Sequence, residues 1–398
     1  MKRRFSPAMA LLVSSLSLSL LAPDALWAKH HGTPTQTPTP VNTPTPTPTP
    51  SPTPAPLPAS WTGEKLYSFD ALWGTKGTGL GELNTPEGIV MGPSDNLYIC
   101  DTANSRILVW TSDGKPLRAI GSFGTSATWR NAPQFNHPTG ILVLPSGQIY
   151  VADTLNHRIV VVDPNDLVLS SWGSQGVGNG QFDQPRDVER DHFGNIWVLD
   201  SANSRFENFS NAGVFNFAWA AYGTQNGQLN LPLGFTLNNI DQAIVADTGN
   251  FRIQVFNDQS AAATNLAPVT VEGWYGDGPF QFKEPAGVVI NKEGQIAVAD
   301  GITGRVEFFN NRFEFLGQWK AKDEILTVNY TPRFRGIACD SQDRLYLTDM
   351  HNNCVIRLKP LKSQPAPTAV ASPSASDVFI PTPTPDDSLP YGGGYPIR

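Results

Sequence analysis

The sequence has few cysteines and few charged side chains. Asp, Glu, Lys and Arg make up 16% of the 398 residues, which disfavours coiled coils and surface helical bundles. Between residues 61 and 362 the chain carries 23 basic and 31 acidic side chains, a net charge of −8. This balance lacks a basic footprint for phosphates, so we expect no nucleic-acid partner. No nucleophile-elbow signal is present, which disfavours Ser/His/Asp catalysis.

The three cysteines cannot all pair with one another. Cys100 and Cys339 lie within apolar strand-like segments and are predicted to be small buried side chains, while Cys354 begins a third strand. We expect three free thiols. A single bridge is the alternative in an exported protein, but Cys339 and Cys354 would lie on strands that are not neighbours, which disfavours that pairing.

Proline is concentrated near the two ends of the chain. Of 35 prolines, 11 lie between Thr33 and Pro58 and 8 follow Lys362. Alternating Thr and Pro favours polyproline II, so residues 29–60 are predicted to be a Pro/Thr-rich linker. Residues 363–398, rich in Pro, Ser, Thr and Gly, are predicted to be a disordered tail. Since 40% of the chain is hydrophobic, the block between them, residues 61–362, can bury a sizeable core.

Residues 1–28 have the pattern of a secretory signal peptide. Lys2 to Arg4 form a charged start, and the apolar stretch from Ala8 to Leu21 is too short to span a bilayer. Leu26 to Ala28 offers a cleavage site. We therefore expect a secreted or cell-envelope protein. The alternative is an uncleaved signal segment, which would be its one contact with a membrane.

The central block repeats about every fifty residues. Intervals of 52, 47, 47, 53 and 49 residues separate the aspartates that end strand-like segments: Asp101, Asp153, Asp200, Asp247, Asp300 and Asp349. Thirteen positions before each aspartate stands a glycine or, once, Asp187. The second unit resolves into short strands at 140–143, 148–153, 158–162 and 167–172, separated by turn residues. Four antiparallel strands per fifty residues are typical of a β-propeller blade.

These units predict an all-β fold, a six-bladed β-propeller closed by an N-terminal strand, with disordered Pro/Thr-rich tails. An aromatic residue is expected to close a fourth strand at six places: Trp73, Phe123, Trp172, Tyr222, Tyr275 and Trp319. The first precedes the first full repeat and none follows the sixth, so residues 65–73 should complete the blade built from residues 335–358. This closure would cover two unpaired sheet edges. We expect a monomer.

An Asp-x-x-Asn-x-Arg turn recurs in four units, after a Gly-[Gln/Glu]-[Phe/Leu] start and a Pro-x-Gly. The turn residues are Asp101, Asn104 and Arg106; Asp153, Asn156 and Arg158; Asp200, Asn203 and Arg205; and Asp247, Asn250 and Arg252. This pattern resembles the NHL-repeat family, and Asn156-His157-Arg158-Ile159 is close to the motif that names it. The resemblance covers residues 65–360. It implies a propeller fold, and as functions it implies scaffolds, protein or RNA binders and a few lyases.

We interpret the repeated Asp/Asn/Arg set as structural, because short polar side chains satisfy turn backbone groups and Arg pairs with Asp. A ring of catalytic carboxylates is the alternative. Unit five has Thr303 where Asn is expected, and unit six has Cys354 where Arg is expected. These two turns are predicted to be weaker.

The middle residue of each Pro-x-Gly, or of its equivalents Pro185-Arg186-Asp187 and Phe334-Arg335-Gly336, is expected to face one mouth of the central channel. The predicted mouth residues are Glu87, Thr139, Arg186, Leu233, Ala286 and Arg335, and Asp187 either joins them or distorts its own loop. They differ from copy to copy, as ligand-reading residues do, and could bind a small anion or an acidic side chain of a partner. The alternative is a solvated rim with an incidental pair of Glu87 with Arg186 or Arg335.

We expect no cofactor and no metal. The amidating-lyase branch of the resembling proteins places zinc on histidines at the mouth positions; here none of these is His, and the histidines occupy different places in their units: His137, His157, His192 and His351. Glu87 and Asp187 are too few oxygen ligands for calcium. The sequence therefore predicts an exported, non-catalytic binding or scaffold module with a protein, peptide or glycan partner. The alternative is a metal-dependent lyase or hydrolase.

Overall fold

The computed structural model describes residues 65–257, 268–325 and 330–361. The predicted signal peptide, Pro/Thr-rich linker and C-terminal tail lie outside the described residues. The described part contains six four-stranded antiparallel sheets, so the prediction of an all-β, six-bladed propeller is confirmed. No helix in this part of the chain has both the length and the apolar character needed to cross a membrane.

The strands follow one another blade by blade. After β1 (Tyr67–Trp73), blade 1 contains β2 (Pro86–Met91), β3 (Asn96–Asp101), β4 (Arg106–Thr111) and β5 (Pro116–Ile120). A short parallel bridge follows, formed by β6 (Ser122–Phe123) and β7 (Gln134–Phe135). Blade 2 contains β8 (Pro138–Val143), β9 (Ile149–Asp153), β10 (Arg158–Val162) and β11 (Val168–Trp172). Blade 3 contains β12 (Pro185–Arg190), β13 (Ile196–Asp200), β14 (Arg205–Phe209) and β15 (Phe215–Trp219).

The second half repeats the arrangement. Blade 4 contains β16 (Gly234–Leu237), β17 (Ala243–Asp247), β18 (Arg252–Phe256) and β19 (Thr270–Glu272). Another parallel bridge is formed by β20 (Trp274–Tyr275) and β21 (Gln281–Phe282). Blade 5 contains β22 (Pro285–Ile290), β23 (Ile296–Asp300), β24 (Arg305–Phe309) and β25 (Phe315–Lys320), and one helical turn, α1 (Ala321–Glu324), follows. Blade 6 contains β26 (Phe334–Cys339), β27 (Leu345–Asp349) and β28 (Cys354–Pro360).

Strand β1 completes blade 6. It pairs antiparallel with β28, from Tyr67 opposite Pro360 to Trp73 opposite Val355, and the strand order of the sheet is β1-β28-β27-β26. The ring of Tyr67 is 3% exposed and stacks on Phe308 of blade 5 with their centroids 4.9 Å apart. The predicted closure by a strand from the beginning of the chain is therefore confirmed.

The hydrophobic core lies between neighbouring blades. All five residues of β9 are buried, as expected for a strand covered on both faces. One core cluster joins Val109 of blade 1 to Val151 and Val160 of blade 2, and similar clusters fill the other contacts between blades. Each blade therefore depends on its neighbours for burial.

Three of the six aromatic residues expected to close a fourth strand do not do so. The register places Ile120, Trp219 and Glu272 at the positions that Trp172 and Trp319 hold in their blades. Phe123, Tyr222 and Tyr275 lie three residues further on, where they bridge to the next repeat and are exposed. Glycine follows all three of these aromatics and also follows Ile120 and Glu272, while Ala220 follows Trp219, so spacing alone could not separate the two positions.

The repeated Asp/Asn/Arg residues tie each blade to the loop that leads into it. In blade 2, Asp153 Oδ2 accepts hydrogen bonds from Asn156 Nδ2 at 2.8 Å and Arg158 Nε at 2.7 Å, while Oδ1 accepts the Asn136 N–H at 2.6 Å. Arg158 Nη1 donates to the carbonyl of Thr125. Equivalent Asp–Asn and Asp–Arg bonds are made in three other blades by Asp101, Asn104 and Arg106; Asp200, Asn203 and Arg205; and Asp247, Asn250 and Arg252. These contacts fix the loops beside the channel mouth.

The two divergent turns use different contacts. In blade 6 the hydroxyl of Tyr330 donates to Asp349 Oδ2 at 2.7 Å, in place of the arginine that Cys354 replaces. In blade 5 the N–H of Thr303 donates to Asp300 Oδ1 at 3.3 Å, and Arg305 Nη2 is 3.8 Å from Asp300 Oδ2. Tyr330 could not be predicted from the repeat because it lies in a loop without an equivalent in the other units.

The innermost strands β2, β8, β12, β16, β22 and β26 contact one another in a closed ring. Five of them carry a glycine where the next blade approaches; a methyl group added to Gly88 would lie 2.0 Å from the carbonyl oxygen of Thr139. Asp187 takes the sixth such position, and its Oδ2 accepts the N–H of Phe235 at 3.1 Å. The side chain of Asp187 thus hydrogen-bonds blade 3 to blade 4 at the position where a glycine in the other blades only allows close approach.

Candidate functional site

The ring encloses a channel with a cavity of about 210 Å³ lined by the innermost strands. Six of the predicted mouth residues line it: Glu87, Thr139, Arg186, Asp187, Leu233 and Arg335. Ala286 is 1% exposed, and the adjacent Gly287 contributes to the wall instead. Ala286 is therefore covered by protein and does not face a ligand as expected.

One ion pair crosses the mouth from blade 3 to blade 1. Arg186 Nη1 donates to Glu87 Oε2 at 2.9 Å. Between these blades, the hydroxyl of Thr139 donates to the carbonyl of Arg186 at 2.9 Å. The guanidinium of Arg186 is consequently held across the opening of the channel.

A second charged cluster contains Glu284 and Arg333, which the sequence analysis missed. Glu284 Oε1 accepts a hydrogen bond from Arg333 Nη2 at 2.7 Å and lies 3.1 Å from Arg335 Nη1. Burial opposes ionisation of Glu284, but the hydrogen bonds and charges of the two arginines outweigh it and lower the pKa of this carboxyl. Arg335 therefore pairs with Glu284 rather than with Glu87.

Two departures from the repeat make room for this cluster. Four blades carry Thr or Ser directly after the strand-ending aspartate, and each hydroxyl donates to a proline carbonyl of the next blade. Blade 5 has Gly301 there, where an added methyl group would lie 2.6 Å from Glu284 Oε2. Blade 6 has Met350, whose Sδ is 3.1 Å from Arg335 Nε. The signal that could have revealed the cluster was the loss of this hydroxyl in two consecutive units.

Arg335 retains an unused donor. Its Nη1 is buried and has no hydrogen-bond partner among the described residues, although the carboxylate of Glu284 is close. Burial lowers the pKa of Arg335, and the neighbouring carboxylates of Glu284 and Glu87 oppose that effect. A guanidinium has five N–H donors in a fixed planar arrangement, so an oxygen atom in the channel could satisfy this one.

Two carboxyl groups lie deeper in the channel on β12. Side chains alternate along a strand, so Asp187 and Glu189 project to the same side, and both line the cavity. Desolvation raises the pKa of Asp187 to about 7, although the N–H groups of Phe235 and Val188 lower it. Desolvation and the nearby Asp187 raise the pKa of Glu189 to about 8. Both groups therefore titrate near neutral pH.

The mouth has an excess of positive charge. Arg186, Arg333 and Arg335 are opposed by Glu87 and Glu284, so one positive charge remains unmatched while Asp187 and Glu189 are protonated, that is, below about pH 7. This local excess contrasts with the net charge of −8 between residues 61 and 362. The opening thus differs in sign from the protein as a whole.

No group of three or more His, Cys, Asp or Glu side chains within the described ranges is arranged to hold a metal ion. His157 Nδ1 accepts the N–H of Gln184 at 3.3 Å and is 3.5 Å from Asp183 Oδ1, and His192 pairs with Asp241; neither histidine lines the channel cavity. Cys100, Cys339 and Cys354 are all free. The ionisable residues that line the channel cavity are therefore arginines, acidic residues and Cys339.

Comparison with known proteins identifies the repeat. Residues 83–110 and 135–162 match the NHL repeat family. Human NHL repeat-containing protein 3 is 28% identical over 119 residues, which are 27% of this chain and 34% of that protein. The Drosophila melanogaster peptidyl-alpha-hydroxyglycine alpha-amidating lyase 1 is 28% identical over 102 residues, 25% of this chain and 18% of that protein. The chain thus spans about a third or less of the length of these curated relatives.

Solved structures support the same fold. A gluconolactonase from Xanthomonas campestris superposes with a TM-score of 0.52 and 16% identity, covering 77% of this chain and 99% of that chain. At this identity the similarity shows the fold alone. Two of the six repeats in this closed ring thus match the NHL repeat, and these findings support the resemblance to NHL-repeat proteins; the fold is a six-bladed β-propeller.

Proposed function

We propose that this chain is a non-catalytic binding module that receives a carboxylate group of a protein or peptide partner at the mouth of its propeller channel. The observation that carries the proposal is the buried guanidinium of Arg335, which borders the cavity and whose Nη1 has the ion-pair contact with Glu284 Oε1 at 3.1 Å but no well-aligned acceptor for all of its hydrogens. A guanidinium nitrogen carries two N–H donors, and Glu284 can take at most one of those of Nη1 in this direction. A ligand oxygen could accept the other, and a carboxylate matches the planar guanidinium.

The surrounding charges favour an anionic ligand. Glu284 and Glu87 hold Arg335 and Arg186 in place, so these side chains lose little freedom when a ligand binds. Since one arginine charge is unmatched at the mouth, a single carboxylate would neutralise it. A carboxylate entering between the arginines would compete with Glu87 for Arg186, and we expect Glu87 to turn toward solvent in the complex.

We propose that the partner lies outside the cytoplasm. Support for this comes from the charged start and apolar stretch of residues 1–28, which have the pattern of a secretory signal. The Pro/Thr-rich composition of residues 29–60 supports the role of a spacer that separates the propeller from the beginning of the chain.

The test uses the full chain on two peptide arrays that carry the same C-terminal sequences, one with free carboxylates and one with amides. We expect binding to the free carboxylates only, and at least a tenfold loss of signal for the Arg335→Met variant. The control is Arg312→Met, which removes an exposed arginine from the turn between β24 and β25 at the other end of the blade.

The proposal is wrong if amidated peptides bind as well as free acids, or if Arg335→Met binds as tightly as Arg312→Met. Binding to a neutral glycan array without binding to free-acid peptides would also overturn it. A stoichiometric, tightly held metal ion in the purified protein would support the lyase or hydrolase alternative instead.

A further inference from the structure

Below the positive mouth, the channel carries a carboxyl group without a side-chain partner. Glu189 lines the cavity, no described side chain hydrogen-bonds its carboxyl group, and its backbone partner is the N–H of Arg190. Asp187, two residues earlier on the same strand, uses both of its oxygens, one for the N–H of Phe235 and one for the N–H of Val188. Glu189 is therefore the carboxyl group with more acceptor capacity left for a ligand.

The equivalent positions of the other blades contain no charge. By strand register, they hold Val90, Leu142, Thr236, Val289 and Ala338. A single glutamate in a ring of apolar residues and one threonine is costly for the fold, because an uncompensated carboxylate in such surroundings loses its hydration. A cation entering the channel would compensate this loss.

We infer that the channel binds the C-terminal residue of a peptide that ends in lysine or arginine, with the basic side chain on Glu189 and the α-carboxylate on Arg335 and Arg186. The inference rests on the proposed function, because it assigns the carboxylate of that proposal to a chain terminus. It adds a second point of recognition of opposite charge, deeper in the same cavity.

The dimensions of the channel agree with this ligand. Three residues along β12 separate Arg186 from Glu189, or about 10 Å of strand; the strand has a register shift at Arg186, and both residues line the cavity. A volume of about 210 Å³ accommodates one long side chain rather than a folded segment. A terminal lysine or arginine carries its two charges at opposite ends of such a side chain.

The charged groups around the channel determine how binding depends on pH. Its charged lining residues are Glu87, Arg186, Asp187, Glu189 and Arg335, and Glu284 and Arg333 act on it through Arg335. Glu189 ionises near pH 8 in the empty channel, whereas a lysine ammonium stays protonated to about pH 10. Affinity for a lysine peptide should therefore rise between pH 6 and pH 8.5. Affinity for an analogue with an uncharged side chain and the same free carboxylate should not rise.

Isothermal titration calorimetry on the full chain tests the inference with acetyl-Gly-Gly-Lys and acetyl-Gly-Gly-norleucine, both with free carboxylates. We expect the lysine peptide to bind at least tenfold more tightly at pH 8.5. Glu189→Gln should abolish this preference without abolishing norleucine binding, and its melting temperature should show that it folds. The control variant Glu314→Gln, on the turn after β24, should keep the preference.

The two levels of the proposal can fail separately. Equal affinity for the lysine and norleucine peptides, or a lysine preference that survives Glu189→Gln, overturns the inference and leaves the proposed function standing. If neither free-acid peptide binds, both are wrong.

Discussion

Replacing Tyr67 by alanine should destabilise the whole propeller, because this residue joins the beginning of the chain to blades 5 and 6. Its ring is 3% exposed and stacks on Phe308, and its hydroxyl accepts a hydrogen bond from Asn291 Nδ2 at 3.3 Å. Burial of about 150 Å² of a tyrosine side chain, at about 25 cal/mol per Å², contributes about 4 kcal/mol. Aromatic-to-alanine changes in cores cost about 3–5 kcal/mol.

The assay is urea unfolding of the full chain, followed by tryptophan fluorescence and far-ultraviolet circular dichroism. The control is Leu72→Ala in the same strand, where the side chain is 38% exposed and the expected loss is below about 1 kcal/mol. We expect the two probes to coincide, since closure couples all six blades. The role assigned to β1 is refuted if Tyr67→Ala is no more destabilising than Leu72→Ala.

Further predictions concern the contacts between neighbouring blades, the carboxyl groups of the channel and the thiols. Gly88→Ala should lower the free energy of unfolding by about 3 kcal/mol or more, because the added methyl group would lie 2.0 Å from the Thr139 carbonyl oxygen. The control Gly81→Ala, whose added methyl group would have its nearest neighbour at 3.8 Å, should not be destabilising in the same urea assay. Folding raises the pKa of Glu189 to about 8, so the native state binds the extra proton and loses stability as pH rises from about 4.5 to 8. Glu189→Gln should match the wild-type melting temperature near pH 4.5 and exceed it above pH 8, and parallel melting curves across this range would contradict the argument. Titration with a thiol reagent after unfolding should find three free cysteines, and a count of one would reveal a disulfide bond.

The fold could be predicted from the repeated motif. The candidate site could not, because it depends on residues that stand at positions outside the motif. The recurring aspartates fixed the blade number, and the unpaired strand at residues 65–73 fixed the closure. Counting from the Pro-x-Gly gave the mouth positions but not what occupies the space between them. Glu284 precedes its proline and Glu189 follows three positions after Arg186, so neither stood at a position marked by the motif.

The exposed aromatic residues show that a match to the repeated pattern can also predict the wrong position for a strand end. Phe123, Tyr222 and Tyr275 match the aromatic-Gly pattern expected at the end of a fourth strand. The observed strand pairing ends three residues earlier, so these side chains lie beyond the strand and are exposed to solvent. Strand register is set by hydrogen bonding and by which face is buried, and a shift of a few residues changes the surroundings of every side chain. A single sequence does not contain that pairing.

The binding account is tested most directly by a crystal structure of the full chain grown with acetyl-Gly-Gly-Lys. We expect the peptide carboxylate within hydrogen-bonding distance of Arg335 Nη1, the ammonium at Glu189, and Glu87 displaced from Arg186. A peptide bound elsewhere on the ring, with the Glu87–Arg186 pair intact, would contradict the account.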